Sequence, residues 1–336
     1  IGLGIPAEPL FRSASANFLN VQPQEIYFTS GGTESDNWAL RGNLAAGDHM
    51  ITTKIEHKAI MNTCKYLETV GVEVTYLNVD EDGHIDLSEL EGSIKANTKL
   101  ISVMTVNNEI GAEQNIREIS KIAKKYNVKF HTDAVQAFGK EDLDLSELNV
   151  DLLSASSHKI NGLKGTGILY VKGGKIGNII YGGGQESGLR PGTENVLGII
   201  AMGEAVKLLD NKIIRKRLWD AYDLTSYMVE LAEAEHLFSF GRREGFAGYA
   251  ISSDSPYIHN IVFPGLRGEQ LVTLLNMNGI CVSTGSACNS DSDEPSHVLT
   301  AIGLGENANS SIRVTLSHQN TKDEVKYFIN VLKRII

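Results

Sequence analysis

From Gln24 onward, short β-rich apolar runs alternate with longer segments in which apolar residues recur at helical spacing. The apolar runs lie at positions 26–29, 49–53, 72–77, 100–105 and 128–131. The helical segments lie near positions 34–45, 58–70, 86–96 and 115–126. This alternation predicts an α/β protein with a mostly parallel sheet covered by helices. Ligands of such sheets bind beyond the carboxyl ends of the strands, so we expect the chemistry in the segments that follow the runs.

The second half of the chain has a different pattern. Helical spacing extends from Val196 to about Ala234, with a solvated basic stretch at 212–217, and an irregular region follows at 236–257. Further on, the pattern predicts strands at 258–263, 280–282 and 311–316 and a helix at 269–276. We expect two domains, a large one at residues 1–205 and a smaller α+β domain at residues 206–336.

Composition excludes several kinds of partner. The 336 residues carry a formal net charge of -10, which would repel nucleic acid and anionic membranes and favours a small-molecule substrate. There is no apolar stretch near the roughly 20 residues that span a bilayer and no signal-peptide pattern, so we expect a cytoplasmic protein without membrane contact. The chain begins at Ile1 rather than Met, and we expect some native N-terminal sequence to be missing.

Three cysteines are too few for a disulfide framework or a zinc cluster. Cys281 lies between Ile280 and Val282, a setting that predicts a small core residue. Cys288 lies in a long polar loop, where an exposed thiol could act as a nucleophile that reaches a substrate; the alternative is an incidental loop cysteine.

The candidate reactive centre is Lys159, on a turn between the apolar runs 150–153 and 168–171. A lysine that is partly desolvated beside His158 and Lys164 could be neutral often enough to form a Schiff base with a carbonyl cofactor. The alternative is an ordinary solvated lysine on the surface.

Other polar groups follow the strands in turn. After the first, Gly31, Gly32 and Thr33 open a helix and could bind a phosphate, or the segment could simply cap its helix. After the second, His57 could lie against an aromatic ligand or shuttle a proton, or be a satisfied surface group. After the fourth comes Asn108, whose segment could be a turn former alone.

The fifth strand is followed by Asp133. A buried acid there needs a cationic partner, and a protonated heteroaromatic nitrogen would suffice, with Gln136 in reach of a ring substituent. His131 and Asp133 could also be metal ligands, but no further ligand occurs at a recognisable spacing, so we expect no metal. Near the end of the chain, Arg313 stands in an apolar strand pattern and requires an anion, either a substrate carboxylate or an internal partner.

Eight motifs occur in the order that is typical of cysteine desulfurases. They are Ser30–Ser35, Glu56–Ala59, Val106–Gly111, His131–Gln136, Ser156–Gly165, Gly182–Glu186 with Arg190–Asn195, Ser283–Cys288 and Ser311–Arg313. From about residue 24 to its end the chain therefore resembles these pyridoxal-phosphate enzymes of the class V aminotransferase group. The resemblance implies a three-layer large domain of the pyridoxal-phosphate transferase type. The starting segments usual in the family, Asp-x-Ala-Ala-Thr-Thr and Asn-Pro-Ser, do not occur before the first motif.

The resemblance also implies roles for individual residues. Lys159 would form the Schiff base with pyridoxal 5'-phosphate, Asp133 would pair with the ring nitrogen, Gln136 with the ring hydroxyl, and His57 would stack on the ring. The residues that bind the phosphate would be Gly32, Thr33, Ser156 and His158, with Thr193 reaching a phosphate across a homodimer interface. Asn108 and Arg313 would orient the substrate carboxylate.

Cys288 would attack the sulfur of L-cysteine and keep it as a persulfide, releasing L-alanine. The long loop around it resembles the branch of the family that passes sulfur to an acceptor protein, for iron–sulfur cluster assembly or thiolation. Two rivals stay open, another enzyme of the same group such as a selenocysteine lyase or aminotransferase, and a non-catalytic scaffold of a sulfur relay.

Overall fold

The structure is a computed structural model, and it describes residues 7–285 and 295–336, with side chains from Leu10 onward. The described chain divides into two compact units. The first comprises residues up to Leu77 together with 85–106 and 114–214; the second comprises 78–84, 107–113 and the residues from Arg215 onward. The sequence predicts a single boundary after residue 205, whereas two short inserted segments also belong to the second unit.

The first unit contains a seven-stranded sheet. Its strands are β1 (Ile26–Thr29), β2 (His49–Thr53), β3 (Glu73–Leu77), β4 (Thr98–Ser102), β5 (Lys129–Asp133), β6 (Leu152–Ser156) and β7 (Gly167–Val171). They lie in the order β1-β7-β6-β5-β4-β2-β3, with parallel pairing from β6 to β3 and antiparallel pairing of β7 with both β6 and β1. The predicted α/β class with a mostly parallel sheet is confirmed.

The helices of this unit are α1 (Ala7–Leu19), α2 (Gly32–Arg41), α3 (Lys58–Thr69), α4 (Leu87–Gly92), α5 (Ile116–Lys125) and α6 (Val196–Lys207). Neighbouring strand residues point to opposite faces of the sheet. Met50 accordingly packs with α2 and α3 in one apolar core, while Ile51, the next residue, packs with α1, α5 and α6 in another. Both faces are buried, as the continuous apolar runs of parallel strands require.

The second unit is built on a four-stranded sheet in the order β11-β10-β9-β8. The strands are β8 (Phe238–Phe240), β9 (Gly248–Ala250), β10 (Ile258–Val262) and β11 (Ser311–Thr315). Helix α7 (Asn211–Ala234) begins in the first unit, and α8 (Gly268–Met277), α9 (His297–Ala301) and α10 (Lys322–Ile335) complete the second. Side chains of α7, α8 and α10 form one apolar core with this sheet.

The expectation for Cys281 is wrong in two respects. Residues 280–282 do not form a strand, and the thiol of Cys281 is exposed. Ile280 and Val282 pack against the apolar core of the second unit, whereas the residue between them faces outward. None of the helices in the described part of the chain is both long and apolar enough to cross a bilayer.

Candidate active site

Strand register brings three candidate segments to one edge of the large sheet. Thr29 at the end of β1 pairs with Gly167 of β7, and Gly167 pairs in turn with Ser156 at the end of β6. On the other side of β6, Ser154 pairs with Asp133, the last residue of β5. The glycine turn after β1, the lysine turn after β6 and the acid of β5 therefore share the edge where ligands of such sheets bind.

Lys159 lies in a short 3₁₀ turn, Ser157–Ile160, that directly follows β6. The turn ends at Asn161, which has a left-handed conformation with a φ of 67°, a position that asparagine tolerates better than most residues. The side chains of Lys159 and His158 are exposed, whereas Ser156 is buried and its Oγ lies 2.9 Å from Nδ1 of His158. His158 is exposed as a residue, but the loss of some solvent around its ring, together with the nearby charge of Lys159, lowers its pKa.

Asp133 and His57 lie together. His57 is the N-cap of α3, and its Nδ1 accepts the backbone N–H of Ala59 at 3.1 Å, so a neutral His57 ring carries its proton on Nε2. One carboxylate oxygen of Asp133 and one ring nitrogen of His57 lie within 4.8 Å of each other. Burial raises the pKa of Asp133, while the charges of His57 and Lys159 and a hydrogen bond from the backbone N–H of Val135 oppose that rise.

Further ionisable groups surround Asp133. Asp36 of α2 and Glu56 are fully buried and lie close enough to interact electrostatically with Asp133, and burial raises the pKa of Glu56 to about 8. His131 is buried two residues before Asp133, and burial lowers its pKa to about 3. Asp36 and Glu56 were not identified as site residues from the sequence. A signal existed for Asp36, because it lies one helical turn before the apolar residues Ala39 and Leu40 and so on the buried face of its helix.

The glycine turn provides an uncapped helix start. Gly31 has a φ of 148° and precedes α2, and no side chain caps the helix there. A Cβ on Gly32 would lie 2.7 Å from Cγ2 of Val135, so the first turn of α2 packs closely against the segment after Asp133. Thr33 is exposed in that first turn, and the first N–H groups of a helix suit an anion.

Two of the predicted cofactor-binding residues, Gln136 and Thr193, have their described hydrogen bonds or neighbours elsewhere. Gln136 is half-buried, and its Oε1 accepts a hydrogen bond from Lys140 at 3.1 Å. Thr193 is exposed, on a segment that is joined to α2 by two hydrogen bonds from Arg190 to Glu34, at 2.7 and 3.0 Å. No hydrogen bond within the described chain connects Thr193 with the other candidates.

The second unit holds the remaining candidates. Arg313 of β11 donates from Nη1 to the backbone carbonyl of Asn108 at 2.8 Å, so these two residues, distant in sequence, are adjacent. Next to them, the buried carboxylate of Glu109 accepts a hydrogen bond from Oγ of Ser296 at 2.6 Å. Cys288 lies outside the residues that the structure describes.

The chain matches known proteins along almost its whole length. The family described as aminotransferase class-V matches residues 10–328, which defines the class of protein. A cysteine desulfurase IscS of Clostridium botulinum is 44% identical over 342 residues, covering 97% of this chain and 83% of the relative. Among solved structures, a NifS-like protein superposes with a TM-score of 0.89 at 36% identity, covering 100% of this chain and 89% of the other. Another, described as SspA in complex with cysteine, superposes with a TM-score of 0.78 at 35% identity, over 94% and 88% of the two chains.

The chain belongs to the cysteine desulfurases of the class-V aminotransferase family. The family resemblance that the eight motifs predict is thus confirmed.

Proposed function

We propose that the protein is a pyridoxal-phosphate-dependent cysteine desulfurase, which converts L-cysteine to L-alanine and transfers the sulfur to Cys288 as a persulfide. The observation that carries the proposal is the buried Asp133 carboxyl group with His57 beside it and the Lys159 charge acting on it. A relative at 44% identity is named as such an enzyme, and a similar solved protein is described in complex with cysteine.

The residues of the first unit fit pyridoxal 5'-phosphate by their chemistry. A flat cationic ring needs a buried acid, and Asp133 is 5% exposed. A phosphate needs N–H donors, and the uncapped start of α2 at Gly32 supplies them near Ser156, whose Oγ lies 3.8 Å from the position of a Cβ on Gly31. An aldehyde needs an amine, and Lys159 follows Ser156 by three residues on the same edge of the sheet.

In this proposal, Lys159 holds the cofactor covalently, Asp133 and Gln136 bind its ring, and His57 stacks on it. Gly32, Thr33, Ser156 and His158 bind its phosphate, with Thr193 from a second subunit. When bound, the cofactor supplies an electron sink that stabilises negative charge at the substrate Cα.

The chain's own groups then carry out the proton and sulfur transfers. Asn108 and Arg313 would orient the substrate carboxylate, and Nζ of Lys159, once the substrate amine has replaced it on the cofactor, would remove the Cα proton. The thiolate of Cys288 attacks the substrate sulfur, so an S–S bond forms as the C–S bond breaks, and the electron pair of that bond stays with the alanine fragment. His57, with its Nε2 proton, relays a proton to or from this fragment.

Homodimer formation, cytoplasmic residence and delivery of sulfur to an acceptor protein of iron–sulfur assembly or thiolation are part of the same proposal. The segment that carries Thr193 supports a dimer, because it exposes apolar side chains that a second copy could cover, namely those of Ile180, Tyr181, Val196 and Leu197. A cytoplasmic location suits the chemistry, because reducing compartments keep thiols such as that of Cys288 unpaired.

Mass spectrometry of Cys288 after incubation of the holoenzyme with L-cysteine tests the proposal. We expect one added sulfur on this residue, together with release of alanine, and neither in the Lys159→Ala variant. Cys288→Ala should release no alanine from cysteine. Turnover of cysteine by Cys288→Ala at the wild-type rate would instead favour a lyase or aminotransferase, and a protein that takes up no cofactor would favour the non-catalytic scaffold.

A further inference from the structure

Helix α2 carries a carboxyl group, that of Asp36, into the buried space beside Asp133. Asp36 is 1% exposed. Asp133 and His131 face it from β5, Glu56 from the segment after β2, and His57 from the start of α3. One oxygen of Asp36, one of Asp133 and one ring nitrogen of His57 lie within 4.8 Å of one another. Two carboxyl groups this close in a buried site cannot both be ionised without a large repulsion.

The surroundings of Asp36 stabilise a negative charge weakly. Ser154 is its side-chain hydrogen-bond partner, and its Oδ1 makes no hydrogen bond with any described residue. Nε2 of His131 lies 3.8 Å from Oδ1, but that ring is neutral at pH 7 because burial lowers its pKa to about 3. Burial, together with the charges of Asp133 and Glu56, raises the pKa of Asp36 well above its usual range, against the hydrogen bond from Ser154, which lowers it.

Asp133 has the opposite surroundings. Its Oδ1 accepts the backbone N–H of Val135 at 2.9 Å, and its ionised form is favoured by His57 when that ring is protonated and by the charge of Lys159. When two coupled carboxyl groups share one negative charge, the charge resides on the group with cations and hydrogen-bond donors around it. The proton of the pair therefore belongs to Asp36 and the charge to Asp133.

We propose that Asp36 is a positioning residue that stays a neutral carboxylic acid, so that the pair presents one negative charge, on Asp133, to the ring nitrogen of the cofactor. The identity of that ring rests on the proposed function, whereas the protonation of Asp36 does not. The hydrogen-bond contacts allow this state: a protonated Asp36 can donate to Ser154, whose hydroxyl can then donate to Nε2 of His131 at 3.0 Å, and Nδ1–H of His131 can donate to Ser102 at 2.9 Å. A second charge on Asp36 would reverse this chain and alter the field at the ring nitrogen.

Urea unfolding of the cofactor-free protein between pH 5 and pH 7 tests the protonation of Asp36. A neutral Asp36 holds a proton in the folded state and releases it on unfolding. The free energy of unfolding of the wild type should therefore fall as the pH rises, and this part of the pH dependence should be absent in Asp36→Asn. The ratio of the unfolding constants, wild type over Asp36→Asn, should rise about tenfold per pH unit. Asp323→Asn, at an exposed position of α10, is the matched control and should give a ratio that does not change with pH. A pH-independent ratio for Asp36→Asn would overturn the proposal.

The absorption spectrum of the holoenzyme tests the positioning role. Replacing a neutral acid by a neutral amide leaves the charge near the ring unchanged, so the pH midpoint of the visible band should stay within about 0.3 units in Asp36→Asn. Asp133→Asn removes the charge and should move it by about one unit or more. A shift of that size in Asp36→Asn would contradict the proposal. If the wild type forms no visible band with pyridoxal phosphate, the proposed function fails, and the unfolding comparison still decides the state of Asp36.

Discussion

The contact between the start of α2 and the segment after Asp133 makes Gly32→Ala a sensitive probe of the site. The new Cβ would lie 2.7 Å from Cγ2 of Val135, whereas ordinary contacts between carbon atoms begin at about 3.5 Å. The side chain of Val135 or one of the two segments must therefore shift by about 0.8 Å, the difference between these distances. Since the N–H of Val135 bonds to Asp133, the shift would reach the acid that we propose to bind the cofactor ring.

Overpacking of this kind costs about 1–3 kcal/mol of stability. We expect urea unfolding to show such a loss for Gly32→Ala, and cofactor titration to show a dissociation constant about tenfold higher, the change that 1.4 kcal/mol produces. Gly92→Ala, at the end of α4, is the control, because a Cβ there meets no atom within 4 Å. It should keep both values near those of the wild type.

A second variant identifies the cause of the loss. Val135→Ala removes the methyl group that the new Cβ would meet, so Gly32→Ala combined with Val135→Ala should recover most of the cofactor affinity that the single change loses. The reasoning is refuted if Gly32→Ala has the stability and affinity of the wild type. It is also refuted if the double variant binds cofactor no better than Gly32→Ala alone.

Three other changes have outcomes that follow from buried polar contacts. Glu56→Gln removes an acid whose folded pKa of about 8 lies above its unfolded value. In urea unfolding at several pH values, the wild type should therefore lose stability relative to the variant from about pH 4.5 to pH 8, by at most about 5 kcal/mol. If the stability of both proteins changes equally with pH, this reasoning is refuted. Arg190→Lys loses the pair of hydrogen bonds to Glu34, so limited proteolysis between residues 182 and 195 should become faster. An unchanged rate would show that this contact does not hold the segment 182–195 in place. Ser296→Ala removes a hydrogen bond to the buried Glu109 and the cap of α9, and should cost about 1–3 kcal/mol in urea unfolding; no loss would contradict the buried contact.

The large sheet was predictable because its two buried faces impose a simple pattern. Each apolar run from 26–29 to 128–131 coincides with a strand to within a few residues, and α2, α3 and α5 follow as the helical spacing indicates. The continuous helical spacing from 196 to 234 was less informative. It contains the separate helices α6 and α7, because Leu208, Leu209 and Asp210 interrupt the helix without a proline or glycine to signal the break.

The site was only partly predictable, for a physical reason. Asp133 ends a strand, and His57 and Lys159 follow strands; strand ends meet at one edge, so their proximity follows from fold class alone. Asp36 lies within a helix, and its depth depends on how α2 packs on the sheet. Cys281 shows the opposite case: its apolar neighbours in sequence pack against the core, but Cys281 itself is exposed.

The division of each central strand between two apolar cores limits how this enzyme can change during evolution. Met50 and Ile51 belong to opposite faces of the sheet, and Leu100 with Ile101 and Leu152 with Leu153 repeat this arrangement. Inserting or deleting one residue within β2, β4 or β6 would exchange the two sets of side chains along the rest of that strand. Length variation among homologues should therefore be confined to the connections between strands. These connections also carry His57 and Lys159, the proposed catalytic groups, so new specificities can arise while the scaffold keeps its length.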